Sequence, residues 1–254
     1  MDITTFLQEH GLRPSTWPMF ADPAIWRFFG EGLRETVFLA LASVALSFVA
    51  GLLFALGRLS RIGAIRWAST AYIEGVRALP VLLLIVYFDI KGSSLFRPIF
   101  GPEFDLPRFW AGVLGLSMYT SAVLAEIIRA GVLSLPQGQT EASRALGLSY
   151  AQSMRHVILP QALRLMVPAM MAQLTTVIKD TSLVGTIGVF ELLKQGRTIY
   201  TQFFNPVEVL LIVTTVYFVI CFALSRASRR FELGYTPRAA RIKIQDIALR
   251  DQAA

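Results

Sequence analysis

Charged residues, histidine and cysteine are all scarce in this sequence of 254 residues. Only 16% of the residues are charged and 54% are hydrophobic, whereas soluble domains carry about 25% charged residues. One cysteine and two histidines exclude a disulfide framework and a zinc site built from these two residue types. The cysteine, Cys221, lies inside an apolar run, where we interpret it as apolar filling. The composition therefore argues against an ordinary soluble domain.

The sequence also lacks the motifs of common catalytic and nucleotide-binding sites. It contains no G-x-x-x-x-G-K-[ST] loop, whose backbone amides hold phosphates, and no H-E-x-x-H or G-x-S-x-G pattern. The net charge of +7 is compatible with nucleic-acid binding. However, the basic residues cluster beside the hydrophobic runs, as loops on the cytoplasmic face of a membrane do. We therefore expect no enzyme active site, no metal site, no ATPase and no nucleic-acid partner in this chain.

The sequence contains a series of apolar runs. The length of each run is close to the roughly 20 residues that a helix needs to cross a bilayer. Because the hydrocarbon interior leaves the backbone without water, these runs are expected to be helices. The expected spans are 33–57, 68–90, 109–130, 165–185 and 206–225. The first ten residues are polar and acidic, so we expect no cleaved signal peptide.

The distribution of basic residues orients these five expected spans. Lysine and arginine number 14 on one side of the membrane and 8 on the other. The first set of segments is 58–67, 129–164 and 226–254, and the second is 1–34, 91–108 and 186–205. The positive-inside rule places the richer set in the cytoplasm. Residues 1–32 are therefore expected to form an extracytoplasmic segment, and residues 226–254 a basic cytoplasmic tail.

The polar segment 131–164 contains the most informative pattern. A helix over 141–146 is expected to end at Gly147, and a second helix over about 149–159 is expected to stop at Pro160. Glu141-Ala142-Ser143, three residues, Gly147, nine residues and Val157-Ile158-Leu159-Pro160 resemble the EAA signature of ABC importer permeases, EAA-x3-G-x9-I-x-L-P. Ser143 replaces the pattern's Ala and Val157 replaces its Ile. The alternative interpretation is an ordinary amphipathic loop.

The resemblance extends along about half of the chain. It is to one branch of these permeases, the polar-amino-acid branch. The similar stretches, in the branch's order, are YIEGVRALP (72–80), SAVLAEIIRAG (121–131), GQTEASRALGLSY (138–150), ILPQALR (158–164) and IKDTSLVGTIGVFEL (178–192). The phrase RALPVLLLIVYF is most similar to glutamate-type members. Val123 departs from the branch, which commonly has Tyr there.

The resemblance implies an all-α integral membrane protein with the five-transmembrane-helix, type I importer permease fold, its amino terminus outside and its carboxyl terminus in the cytoplasm. It implies a permease subunit of the bacterial inner membrane that carries a polar amino acid, with glutamate/aspartate or glutamine favoured. The implied partners are a second permease chain (identical or a paralogue), two cytoplasmic ATPase subunits that bind ATP and Mg, and an extracytoplasmic binding protein. The residues implied to couple to the ATPase are Glu141, Ala142, Gly147, Leu159 and Pro160.

Several charges fall inside the expected spans, where an unpaired charge costs at least about 2.5–3.5 kcal/mol. Glu126 and Arg129, like Glu74 and Arg77, are three residues apart, so each pair is expected to neutralise itself on one helix face. A role of Glu126 and Arg129 in the transport path or its gate is the alternative.

A second polar group lies towards the outer part of the fourth expected span. Its members, which suit the ammonium and carboxylate of an amino acid, are Lys179, Asp180, Thr181 and Ser182. They either line the substrate path or cap a helix end and contact other subunits. Two other function classes also remain open for the chain, a passive channel and a membrane-embedded enzyme.

Overall fold

Long α-helices make up nearly all of the described chain. The computed structural model describes residues 14–235, and their side chains from residue 17 to residue 230. Within residues 14–235 there are nine α-helices: α1 (Pro23–Arg58), α2 (Gly63–Arg77), α3 (Val81–Phe100), α4 (Arg108–Leu133), α5 (Gln137–Ala145), α6 (Tyr150–Ser153), α7 (Leu159–Val184), α8 (Leu192–Phe203) and α9 (Pro206–Tyr235). The remaining helical pieces of this range are two 3-10 helices, Pro14–Ala21 and Gly185–Ile187, and a π-helical turn, Met154–Ile158. Residues 1–13 of the expected amino-terminal segment and residues 236–254 of the expected basic tail lie outside the described residues.

The first helix, α1, begins well before the expected span 33–57. The Asp22 carboxylate accepts the Ala24 backbone N–H at 2.8 Å, and Pro23 takes the first helical position, where its missing N–H costs no helical hydrogen bond. The helix then continues for 36 residues to Arg58. Such a length exceeds what a bilayer crossing requires.

The centre of the bundle is the packing of α1 against α4, which depends on small and hydroxylated side chains. A Cβ atom on Gly51 would lie only 2.9 Å from the Ser121 carbonyl oxygen, so the two backbones approach closely there. The Ser47 hydroxyl bonds the Ser117 carbonyl and the Ser117 hydroxyl bonds the Ser43 carbonyl, both at 3.2 Å. Close backbones and interhelical hydrogen bonds of this kind hold helices together in membranes.

Four stretches of continuous helix in the described part of the chain are long and apolar enough to cross a membrane. They are Pro23–Arg58, Arg108–Leu133, Tyr150–Ile187 and Pro206–Arg230. Four of the five expected spans fall within them, namely 33–57, 109–130, 165–185 and 206–225. The coarse prediction of an all-helical membrane protein is therefore confirmed.

The expected second span, 68–90, is divided between α2 and α3 at residues 78–80. Pro80 precedes α3 in extended conformation, and a proline disfavours the helical conformation in the residue before it. At 20 residues, α3 is long enough to cross a bilayer. It nevertheless carries Asp89, Lys91 and Arg97, and it is not among the four apolar stretches.

The prediction that a helix stops at Pro160 is wrong, because the chain is helical without interruption from Tyr150 to Ile187. A proline inside a regular α-helix clashes with the carbonyl four residues earlier. Here the preceding turn is a π-helix, in which the Leu159 N–H bonds the Met154 carbonyl five residues back. Pro160 itself lies at the start of α7, so the wider turn lets the helix continue into the membrane span.

Candidate coupling site and membrane charge groups

A helical hairpin of α5 and α6, residues 137–153, projects from one end of the bundle. Its turn is a Schellman motif, in which Leu148 N–H bonds the Ser143 carbonyl at 3.2 Å and Gly147 N–H bonds the Arg144 carbonyl at 3.0 Å. Gly147 has φ +82°, a left-handed conformation that favours glycine. The expectation that Gly147 ends the first helix is therefore confirmed.

Two serines join the two helices of this hairpin, which is called the coupling hairpin below because it contains residues predicted to couple to the ATPase. The hydroxyls of Ser143 and Ser153 are both buried and hydrogen-bond each other. Ser149 caps α6 in a reciprocal capping box with Gln152. The serine that replaces Ala in the EAA pattern thus gains a buried partner, which gives this departure a structural role.

The surface of the coupling hairpin presents the residues that a docking partner would meet. Glu141 and Ala142 are exposed, and Leu146 at the turn has 82% of its side chain exposed. Single exposed apolar side chains are common at protein surfaces, so Leu146 adds accessible apolar area at the turn. The exposure of Leu146 was not predicted from the sequence, although a lone leucine before the glycine of the turn was a signal for it.

The base of the coupling hairpin is fixed to the bundle by polar and apolar contacts. The Tyr150 hydroxyl donates to the Leu59 carbonyl, just after α1, at 3.4 Å, and the Gln161 amide donates to the Gln139 side chain at 3.2 Å. The fully or partly buried side chains that pack beneath it include Ala55, Ile128, Met154, Ile158 and Leu159. Leu159 therefore anchors the hairpin from within, whereas Pro160 is exposed.

Four charged side chains form a cluster at the same end of the bundle. Glu126 and Arg129 form a bidentate pair, with nitrogen–oxygen distances of 2.5 and 3.0 Å, so this predicted pairing is confirmed. The predicted pairing of Glu74 with Arg77 is wrong, because Glu74 bonds Arg58 at 2.8 Å. Arg58 also bonds Glu126 at 2.9 Å. One arginine at the end of α1 thus joins α2 and α4.

The Lys179–Ser182 group is divided between the two faces of α7. Lys179 is exposed, and Asp180 and Ser182 are partly buried. Thr181 is fully buried, where its hydroxyl donates to the Ile178 carbonyl at 2.6 Å. Lys179, Asp180 and Ser182 therefore retain surface towards the outside of this chain, while Thr181 packs within it.

Glu191, a fully buried carboxylate between two spans, was not predicted from the sequence. It caps α8 by accepting the backbone N–H groups of Leu193 and Lys194 at 2.8 and 2.7 Å, and it accepts the Tyr217 hydroxyl at 3.0 Å. Burial raises the pKa of the Glu191 carboxyl, and these three hydrogen bonds oppose the rise. An acidic residue directly before an amphipathic helix was the available signal for such a cap.

Residues 26–235 match the family described as the inner membrane component of binding-protein-dependent transport systems. The chain belongs to this family. Among its relatives is the glutamate transport system permease protein GluD of Corynebacterium glutamicum, with 36% identity covering 87% of this chain and 80% of that protein. The probable glutamine ABC transporter permease protein GlnM of Bacillus subtilis is 33% identical, covering 77% of this chain and 87% of that one. The glutamate/aspartate import permease protein GltK of Escherichia coli is 32% identical, with 77% and 88% covered.

Solved structures agree with this assignment. The permease is similar to a chain in the crystal structure of an amino acid ABC transporter with histidines, with a TM-score of 0.71 and 33% identity, covering 81% of this chain and 93% of that chain. The inward-facing methionine ABC transporter MetNI gives a TM-score of 0.62 at 24% identity, with 83% and 99% covered, and supports the fold alone.

These findings confirm the predicted family and several predictions that depend on it. The permease is a multi-pass inner-membrane component of an amino-acid ABC transporter, and it is a transport subunit, not an enzyme. Permeases of this family work with ATPase subunits, which explains why a chain without a nucleotide-binding motif belongs to an ATP-dependent system.

The Ser143–Ser153 hydrogen bond predicts a measurable coupling within the hairpin. Ser143→Ala leaves the buried Ser153 hydroxyl without this partner, which costs about 1–3 kcal/mol, whereas Ser153→Ala leaves the Ser143 hydroxyl its bond to the Thr140 carbonyl at 2.8 Å. The double variant removes both hydroxyls and is expected to lose less than the sum of the two single losses. The measurement is hydrogen exchange of residues 137–153 in the purified permease, with thermal unfolding alongside. Ser134→Ala, whose hydroxyl bonds only its own helix at Gly131, is the control; strictly additive losses would contradict the coupling.

Proposed function

We propose that this permease carries a polar amino acid, with glutamate/aspartate or glutamine favoured, from an extracytoplasmic binding protein into the cytoplasm. The observation that supports an ATP-driven mechanism best is the coupling hairpin, an ordered projection with Glu141 and Leu146 exposed at its surface. A passive channel needs no such projection. The substrate class rests on the names of the relatives and on the sequence resemblance.

The proposed assembly contains two permease chains, identical or paralogous, two ATPase subunits beneath them and the binding protein above. ATP and Mg would be bound by the ATPase subunits, and this chain would hold no cofactor. Closure of the ATPase pair would move the coupling hairpins. Because each hairpin continues without interruption into α7, its displacement would be passed directly to a membrane-spanning helix.

The proposed topology has five crossings, with α3 as the crossing that the four apolar stretches leave out. Its 20 residues span about 30 Å at 1.5 Å per residue, which matches the hydrocarbon thickness. The Arg108 side chain lies 3.9 Å from Asp89, so one charge on α3 has a partner. Five crossings put the termini on opposite sides, with the amino terminus outside.

Reporter fusions test this topology. Fusions after Ser60 and Arg229 are expected to give a cytoplasmic signal, and a fusion after Phe104 an extracytoplasmic signal, because the basic segments remain inside. A cytoplasmic signal at Phe104 would remove α3 as a crossing and leave four spans.

The residues proposed to line the substrate path are Lys179, Asp180 and Ser182. Thr181, on the buried face of α7, is proposed to support them by packing against the rest of the chain. Lys179 and Asp180 are adjacent, exposed or partly buried, and of opposite charge, which suits the two charges of an amino acid. Glu126 and Arg129 are proposed to act at the inner end of the path as part of the charge cluster with Arg58.

Substitution of the two path charges should impair transport more than assembly. Lys179→Ala and Asp180→Ala are each expected to lower uptake about tenfold or more, because each removes a charged hydrogen-bonding partner of the substrate. The measurements are uptake in vesicles and the amount of assembled transporter. Arg27→Ala, which removes an exposed charge near the start of α1, is the control, and normal uptake by either path variant would refute direct lining at that position.

Competition by glutamate, glutamine, arginine and histidine tests the substrate class, and stronger inhibition by arginine than by glutamate would refute the acidic assignment.

The coupling hairpin itself is tested at Gly147 and Glu141. Gly147→Val forces a β-branched residue into a left-handed conformation at a cost on the order of 1–3 kcal/mol, and Glu141→Lys reverses an exposed charge. Both variants are expected to insert normally but to retain less ATPase, or to hydrolyse ATP without responding to the loaded binding protein. Gly63→Val is the control, because Gly63 has open space around it and no positive φ. Wild-type ATPase retention and wild-type stimulation in both variants would show that the hairpin is not the coupling element.

A further inference from the structure

A groove of about 520 Å³ opens beside the base of the coupling hairpin, between the turn that follows α1 and the start of α6. Its volume lies within the roughly 300–1,000 Å³ of ordinary ligand sites. Apolar side chains from Leu56, Ile62, Met154 and Leu159 contribute to its walls. The groove is thus a largely apolar site at an end of the bundle, where a span meets the membrane surface.

Two arginines, Arg61 and Arg155, lie in the same groove and come from opposite walls. Both side chains are exposed, and neither forms an ion pair with any carboxylate in the described part of the chain. The Arg61 guanidinium lies over the Tyr150 ring at 5.4 Å, a cation–π contact that holds it at the groove. Two arginines without acidic partners can bind one phosphate through charge-assisted hydrogen bonds.

Leu56, which lines the groove, belongs to an apolar stripe on the surface of α1. Leu46, Val49 and Leu53 are 42%, 58% and 66% exposed, and their spacing places them with Leu56 on one face of the helix. This stripe lies in a membrane-spanning helix, so a soluble protein does not reach along it. A molecule with an anionic head beside the arginines and a hydrocarbon chain along the stripe would fit both features.

We propose that this groove is a binding site for one anionic phospholipid. Its phosphate accepts hydrogen bonds from Arg61 and Arg155, and one acyl chain follows Leu56 and the exposed stripe of α1. Basic pockets between membrane helices are suited to anionic head groups. Because one wall belongs to α1 and the other to the coupling hairpin, the bound lipid joins the hairpin to the bundle at the point where Tyr150 contacts Leu59.

Native mass spectrometry of the full-length permease in complex with its ATPase tests this site. The probes are phosphatidylglycerol and phosphatidylcholine with identical chains, titrated from low concentration so that the tightest site fills first. We expect one phosphatidylglycerol per permease chain at the tightest site, and weaker binding of phosphatidylcholine. The double variant Arg61→Ala/Arg155→Ala is expected to lose about tenfold or more in affinity for phosphatidylglycerol, because charge-assisted hydrogen bonds are strong. The control Arg27→Ala/Arg197→Ala removes two exposed arginines outside the groove and is expected to bind as the wild type does.

A second variant separates the groove from general attraction between charges. Ala151→Trp keeps both arginines and fills the groove at Ala151, which lies in its wall, and it is expected to weaken binding as strongly as the double variant. Unchanged phosphatidylglycerol affinity in either groove variant would overturn the proposal. The proposal would also be overturned if inorganic phosphate displaced phosphatidylglycerol as effectively as a second phospholipid does, since binding would then not need an acyl chain. Phosphatidylglycerol that is absent from the complex but binds the permease once the ATPase is removed would identify the groove as a contact with the ATPase and overturn the proposal.

Discussion

Hydrocarbon offers a backbone amide no partner outside the chain, so every membrane crossing must satisfy its N–H and C=O groups within a helix. Two prolines then decide where a helix is interrupted and where it continues. Before Pro80 the helix ends, and α3 starts afresh at Val81. Before Pro160 the chain instead widens into a π-helical turn and continues to Ile187. The break before Pro80 divides one expected span into two helices. The π-helical turn before Pro160 joins the coupling hairpin to a span.

Polar side chains inside such a bundle must also find partners, and these partners determine which helices are neighbours. Ser47 and Ser117 bond backbone carbonyls across the α1–α4 contact. Arg58 joins α1 to Glu74 of α2 and Glu126 of α4. Between spans, Glu191 holds the start of α8 against the Tyr217 hydroxyl. Each contact specifies which helices are neighbours. Apolar surfaces alone specify neighbours poorly in a membrane, because lipid is equally apolar.

Features encoded locally could be predicted from the sequence, whereas features that depend on partners distant in the chain could not. The apolar runs located four spans because length and composition alone are sufficient for that purpose. Gly147 was predicted to end a helix because a glycine at that place favours a left-handed turn. The pairing of Glu74 could not be inferred from spacing, since a closer arginine, Arg77, competed with the true partner, Arg58. Leu146 was missed because its exposure depends on how the hairpin projects from the bundle.

The second helix of the coupling hairpin, α6, and the proposed substrate path lie on one uninterrupted helical stretch, Tyr150–Ile187. At 1.5 Å per residue, about 40 Å separate Tyr150 from Lys179 along this stretch, so a rigid helix would carry a displacement of the hairpin over most of the membrane. Pro168 lies between the two sites and removes one hydrogen bond from the helix. Its carbonyl accepts the Ser228 hydroxyl of α9 at 3.3 Å. The point at which α7 is most easily bent is therefore also fastened to a neighbouring span, so movement of the hairpin would turn the two helices together.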